Sequence, residues 1–188
     1  MHLLGIRSLI VSNASGGIHS RFESGQVVLI DSHIDLMFRN PIAPGESASG
    51  SGLLGVPHRN GRQAYDSEWM DVAQQAGLRL GYALARGTYL ATLGPNYETR
   101  AEYRFFAKIG ADMVGMSTVP EVLLARQLGL RVLAFSIITN VAKPDAPSVT
   151  HHEEVLDWSR KAQDRLIPII QTIIDKVGST DATNNRPS

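Results

Sequence analysis

Several segments of the chain place reactive side chains beside glycine turns or helix starts. The segment Asn13-Ala14-Ser15-Gly16-Gly17 follows a short apolar run. Its backbone N–H groups could converge on an anion as a nest, and a plain tight turn would use the same residues. Ser117 stands beside the start of a helical pattern. Free N–H groups and the positive end of the helix dipole favour an anion there, with the hydroxyl as an added donor; ordinary capping by Ser117 or Thr118 is the alternative. In Gly94-Pro95-Asn96-Tyr97-Glu98 the carboxylate can accept hydrogen bonds from a ligand N–H, and Tyr97 can cover a ring face. A glutamate favouring the helix dipole would need no ligand. Asn140 ends the apolar run Ser136-Ile137-Ile138-Thr139 with an amide that donates and accepts at once. That suits a heterocycle with a ring nitrogen beside a carbonyl, and turn formation is the competing role. His151-His152-Glu153-Glu154 has the composition of a metal cluster. Adjacent side chains diverge on a helix, so a helix start fits this segment better.

The elements that must carry these groups alternate. Ser8–Ser12 reads as a buried strand entering the glycine turn, and Val27–Asp31 as a second strand. From Arg39 to Arg62 the composition turns to Pro, Gly and Ser, which predicts a long loop. Helical spacing covers Ser67–Leu84, Thr99–Ile109, Thr118–Leu128 and His152–Val177; strand patterns cover Thr88–Leu93, Met113–Met116 and Arg131–Ile138. Thr99 with Glu102, and Thr118 with Glu121, read as capping boxes. Pro168 predicts a kink in the last helix, and Ser179–Ser188 a polar tail without structure. Strands alternating with helices define an α/β sandwich with a mostly parallel sheet.

Composition narrows the partners. The 188 residues, 43% hydrophobic, suit one domain with a real core. Lys plus Arg balances Asp plus Glu at 18 each, and no basic stripe marks a nucleic-acid or anionic-membrane surface. No cysteine is present, which excludes disulfides, thiolate metal sites and a cysteine nucleophile. The apolar runs are strand-sized, and Met1–Gly5 has no basic n-region, so a cytoplasmic protein is expected.

Taken in order, Ser12-Asn13-Ala14-Ser15-Gly16-Gly17, Gly94–Thr99, Gly110–Glu121, Thr139-Asn140 and His152-Glu153-Glu154 resemble the trimeric purine nucleoside phosphorylases, from about Leu3 to Val177. The resemblance implies a Rossmann-like phosphorylase fold, an α/β/α sandwich with a mixed, mostly parallel central sheet, over residues 1–177, with 178–188 as a tail. It implies a homotrimer that cleaves purine (2′-deoxy)ribonucleosides with inorganic phosphate as co-substrate and no cofactor or metal. The Ala14 backbone and Ser117 would hold phosphate, and Met116 would lie against the ribose. Glu98 and Asn140 would bind a 6-oxopurine, with Tyr97 packed on it, and His152 would reach the ribose 5′-hydroxyl. Glu98, Asn140 and His152 are the catalytic candidates.

The family pattern is not complete in this sequence. The family's N-terminal strands, and the Ser, Arg and His set they bring to phosphate together with a ribose Tyr, have no counterpart ahead of Met1. No Phe lies between Phe38 and Phe105 to match the loop Phe that the family lends to a neighbouring subunit. Ser15 stands where Ala is more usual. Two other readings follow. A truncated remnant that binds purine or oligomerises without turnover would keep the same motifs. A 5′-methylthioadenosine phosphorylase would typically carry Asp at position 140 and Thr at 117, against Asn140 and Ser117 here.

Overall fold

A computed structural model describes residues 2–38, 64–142 and 152–184, with side chains over 156–176 in the last stretch. The loop expected over Arg39–Arg62 therefore lies outside the described residues. After a 3-10 turn at His2–Leu4 the order is β1 (Ser8–Gly17), β2 (Val27–Asp35), α1 (Ser67–Arg79), β3 (Ala85–Ala91), α2 (Arg100–Lys108), β4 (Met113–Gly115), α3 (Val119–Gln127), β5 (Arg131–Val141) and α4 (His152–Asn184).

The sheet is mixed and mostly parallel, as expected. β1–β5, β2–β3 and β3–β4 run parallel, while β1–β4 and β2–β5 run antiparallel. The order β1-β4-β3-β2-β5 returns from β5 to β1, so the sheet closes into a barrel. Closure explains the near-continuous apolar runs Val27–Ile30 and Val132–Phe135, all buried, since their strands face packed neighbours on both sides. Outside the barrel, Ala162, Leu166, Ile169 and Ile173 form the buried stripe of α4 at helical spacing.

Several boundaries differ from the sequence expectation. The segment Asn13–Gly17 is neither a nest nor a turn: β1 runs through it, paired with β5, with a register shift between Ser15 and Gly16. Pairing across a whole strand outweighs the local turn preference of its glycines. Helix α1 stops at Arg79 rather than Leu84, because Gly81 takes φ +82° and turns the chain toward β3. Helix α4 passes through Pro168 and past Val177 to Asn184, so the expected tail is helical up to that residue. A helix already nucleated by its packed stripe propagates at one hydrogen bond per added residue. Along Ser8–Ser15 the only described strand pairing of β1 is with β5, and Leu9 and Val11 are half-buried.

One polar cluster ties α1 to β5. Asp66 caps α1 by accepting the Trp69 N–H at 3.0 Å, and it receives Arg131 Nε at 2.6 Å and Nη2 at 2.9 Å. The Arg131 guanidinium also lies 4.8 Å from the centre of the Trp69 ring. Burial works to raise the Asp66 pKa, but the Arg131 and Trp69 donors outweigh it and the net direction is down. Asp66→Ala removes a cap and leaves a half-buried guanidinium short of a partner, so urea unfolding should show a loss of about 2 kcal/mol. Because the folded pKa is depressed, this contribution is present above about pH 4 and fades below it as Asp66 protonates. An unchanged urea midpoint at pH 7 would remove this account of the cluster.

Candidate active site

β1 pairs with β4 only at Gly16–Val114 and Gly17–Met113. Beyond that point the two strands part, and a cavity of about 370 Å³ opens between them. Crevices of this kind, where neighbouring strands diverge, are the usual ligand sites of α/β sheets. Six residues singled out from the sequence line it together: Ala14, Tyr97, Glu98, Met116, Ser117 and Asn140. His152 is the first residue of α4, and its side chain lies outside the described residues. Tyr103, which no sequence motif suggested, lines the same cavity.

One end of the cleft is built on hydroxyl groups. Ser15 Oγ and Ser136 Oγ lie 2.6 Å apart in the core, so the serine that departs from the usual Ala has a buried partner. Ser136 Oγ donates to Asn13 Oδ1 at 2.6 Å, which orients the amide so that its Nδ2 donates to Thr118 Oγ1 at 2.8 Å. Thr118 Oγ1 in turn lies 3.1 Å from Ser117 Oγ. These bonds hold an uncommon backbone. Thr118 has φ +78° and ψ −46°, and Val119 N–H donates to Ser117 O at 2.9 Å, which together make a γ-turn of positive φ. A β-branched residue in that region is strained, typically by about 1–3 kcal/mol, and persists only where its surroundings over-determine it. The capping box expected between Thr118 and Glu121 does not form, since the Thr118 side chain makes no cap bond. Asn13, reaching across 105 residues, engages the hydroxyl instead. The turn leaves Ser117 exposed at the cleft, ahead of the first turn of α3.

Glu98, Asn140, Tyr97 and Tyr103 line the same cavity. The Thr99–Glu102 capping box forms as expected and fixes the first turn of α2. Glu98 sits just before it, half-buried, with Oε2 accepting the Tyr103 hydroxyl at 3.1 Å. Asn140 projects from β5 opposite Gly16, and its Oδ1 lies 3.3 Å from Thr139 Oγ1. A Cβ on Gly16 would touch Asn140 Nδ2 at 3.5 Å and the Tyr103 hydroxyl at 3.6 Å, so the bare glycine leaves that corner open. Tyr97 is 54% exposed at the cavity rim. Met116 packs against Gly94, whose φ of +63° and lack of a side chain make room for the sulfur.

Charge in the cleft is one-sided. Among the described lining residues Glu98 is an acid and none is a cation. Among the described residues, the donors an anion could meet there are hydroxyls, backbone N–H groups and the N-terminal end of α3. Tyr89, fully buried beneath this end, accepts the Ser117 N–H at 3.4 Å, and burial pushes its phenol pKa up. Gly115 has no side chain because that phenol oxygen occupies the space where a Cβ would stand. Among the described residues no cluster of His, Asp and Glu is arranged to hold a metal ion.

Sequence and fold match a known class. The model of the phosphorylase superfamily matches residues 1–175, and the chain belongs to that superfamily. Within it, the chain is 37% identical over 175 residues to purine nucleoside phosphorylase 1 of Bacillus subtilis, covering 93% of this chain and 63% of the relative. It is 38% identical over 189 residues to the mouse purine nucleoside phosphorylase, covering 96% of this chain and 63% of that protein. Among solved structures, a Schistosoma purine nucleoside phosphorylase in complex with hypoxanthine superposes with a TM-score of 0.85 at 33% identity, over 94% of this chain and 64% of the other. The Schistosoma mansoni enzyme in complex with inosine gives a TM-score of 0.84, also at 33% identity, over 93% and 63% of the two chains. The chain thus spans about 63% of the length of these curated relatives.

Proposed function

We propose that the cleft is a site for phosphorolysis of purine nucleosides with 6-oxopurine bases, releasing free base and (deoxy)ribose 1-phosphate. The observation that carries this reading is the meeting of two unlike sets of groups in one cavity. Ser117 and Ala14 line it beside the hydroxyl-bearing Ser15 and Thr139, and Glu98, Asn140 and Tyr97 line the same cavity. A nucleoside spans such a cleft with its base between Glu98 and Asn140 and its ribose against Met116. Phosphate sits below the sugar on Ser117, the Ala14 backbone and the α3 N-terminus. The C1′–N9 bond breaks as a phosphate oxygen bonds to C1′, and the departing electron pair moves into the purine. Asn140 hydrogen-bonds the ring nitrogen and carbonyl where that charge gathers, which stabilises the transition state more than the ground state. His152 is assigned to the ribose 5′-hydroxyl and the assembly to a homotrimer on the family resemblance. No described helix is long and apolar enough to cross a membrane.

A second reading, a purine-binding chain with little turnover, is favoured by one observation: the described lining residues include no cation. Cationic groups that position and charge-match phosphate are worth several kcal/mol, on the order of 10³-fold in rate. The two readings differ in their response at the anion end. Ser117→Ala should raise the phosphate KM about tenfold, the loss of one hydrogen bond to a charged group, and leave the inosine KM within about twofold. Hypoxanthine release that does not depend on phosphate concentration would exclude phosphorolysis.

A further inference from the structure

We infer that Tyr103 sets the choice among 6-oxopurines, holding one oxygen of Glu98 and leaving the other for a base with a single ring donor. The inference rests on the reading of the cleft as a nucleoside site and adds a specificity residue to it. Tyr103 is anchored at both ends. Its ring packs against the buried cluster of Leu90, Phe106 and Val114. Its backbone N–H donates to Thr99 O at 3.0 Å, inside the turn that the capping box fixes. The hydroxyl then reaches Glu98 Oε2 at 3.1 Å, while the neighbouring carboxylate of Glu102 is occupied by Thr99. Burial, with the Glu98 charge beside it, pushes the Tyr103 phenol pKa up, so at neutral pH the group is a donor and its bond to the carboxylate is charge-assisted.

The consequence follows from the edges of the two bases. Inosine presents one donor to a carboxylate, the ring N1–H. Guanosine presents that N–H and an adjacent amino group, two donors that match the two oxygens of a free carboxylate. With Oε2 engaged by Tyr103, inosine satisfies the remaining oxygen. Guanosine must displace or crowd the phenol, so that its O–H loses the carboxylate it donates to. Tyr103 is therefore a positioning residue for Glu98, and it acts against the second donor.

Titration calorimetry of the full chain with inosine and with guanosine, in the absence of phosphate, tests this. The wild-type chain should bind inosine about tenfold more tightly. In Tyr103→Phe, which keeps the packed ring, the ratio should fall to about one, chiefly through a gain in guanosine affinity. Tyr103→Leu should shift the ratio the same way, and thermal melting confirms that each variant is folded. A ratio that ignores Tyr103, or tighter guanosine binding by the wild type, overturns the inference. So does binding of neither nucleoside, which removes the nucleoside reading as well. If both bind with the expected ratios but inosine is not cleaved with phosphate, the phosphorolysis reading alone fails. If inosine is cleaved and the ratio ignores Tyr103, this inference alone fails.

Discussion

Asn140→Ala is expected to lower kcat for inosine phosphorolysis by about 10²–10³-fold relative to the unsubstituted chain, the range for loss of one preorganised donor to developing charge. Asn140 sits at the end of a strand buried throughout its centre, paired with β1 at Gly16, so its amide is delivered by the barrel rather than by a loop. Thr139 Oγ1 beside its Oδ1 helps hold the amide. A group preset in this way gives up little entropy when the purine becomes anionic, which is why its removal should appear in kcat and kcat/KM alike. Steady-state assays with inosine and saturating phosphate check this. A rise in KM with kcat unchanged would make Asn140 a simple binding residue.

The second large effect concerns base selection. On the proposed reading, Glu98 as a carboxylate would accept the N1–H that inosine and guanosine carry and adenosine lacks. With adenosine, two acceptors would face each other in a half-buried site. Sites built around a specific hydrogen-bond partner reject the wrong one by roughly 10⁴-fold. The kcat/KM for inosine should therefore exceed that for adenosine by about that factor. Glu98→Gln offers an amide N–H to adenine N1 and should reduce the ratio to about ten. Asn140→Asp should narrow it as well, since a carboxylate accepts from the 6-amino group. Comparable kcat/KM values for adenosine and inosine in the unsubstituted chain would contradict the assignment of Glu98.

How much of this was legible in the sequence depends on how local each feature is. The Thr99–Glu102 box is a contact between residues three apart, and it forms as read. The same pattern at Thr118 fails because its hydroxyl is engaged by Asn13 from a distant strand. No spacing along the chain encodes that pairing. The glycines at 16 and 17 suggested a turn, yet β5 holds them in a strand, and only the register of two strands far apart in sequence shows this. Closure of the barrel depends likewise on the short antiparallel contacts β1–β4 and β2–β5. In the cleft, Tyr97, Glu98, Met116, Ser117 and Asn140 come together because each lies near a strand end or on the segment that follows, while Ala14 reaches it from within β1. Tyr103 escaped notice because it sits inside a helix, where an aromatic residue reads as packing. The available signal was its place one turn after the N-cap Thr99, five residues after Glu98.

The most direct test of the phosphorolysis account is the identity of the sugar product. Incubating the chain with inosine and inorganic phosphate and following the mixture by ³¹P NMR should reveal ribose 1-phosphate, formed in equal amount with hypoxanthine and absent when phosphate is left out. Free ribose in place of ribose 1-phosphate, or no sugar product at an enzyme concentration that saturates the inosine, would contradict the account.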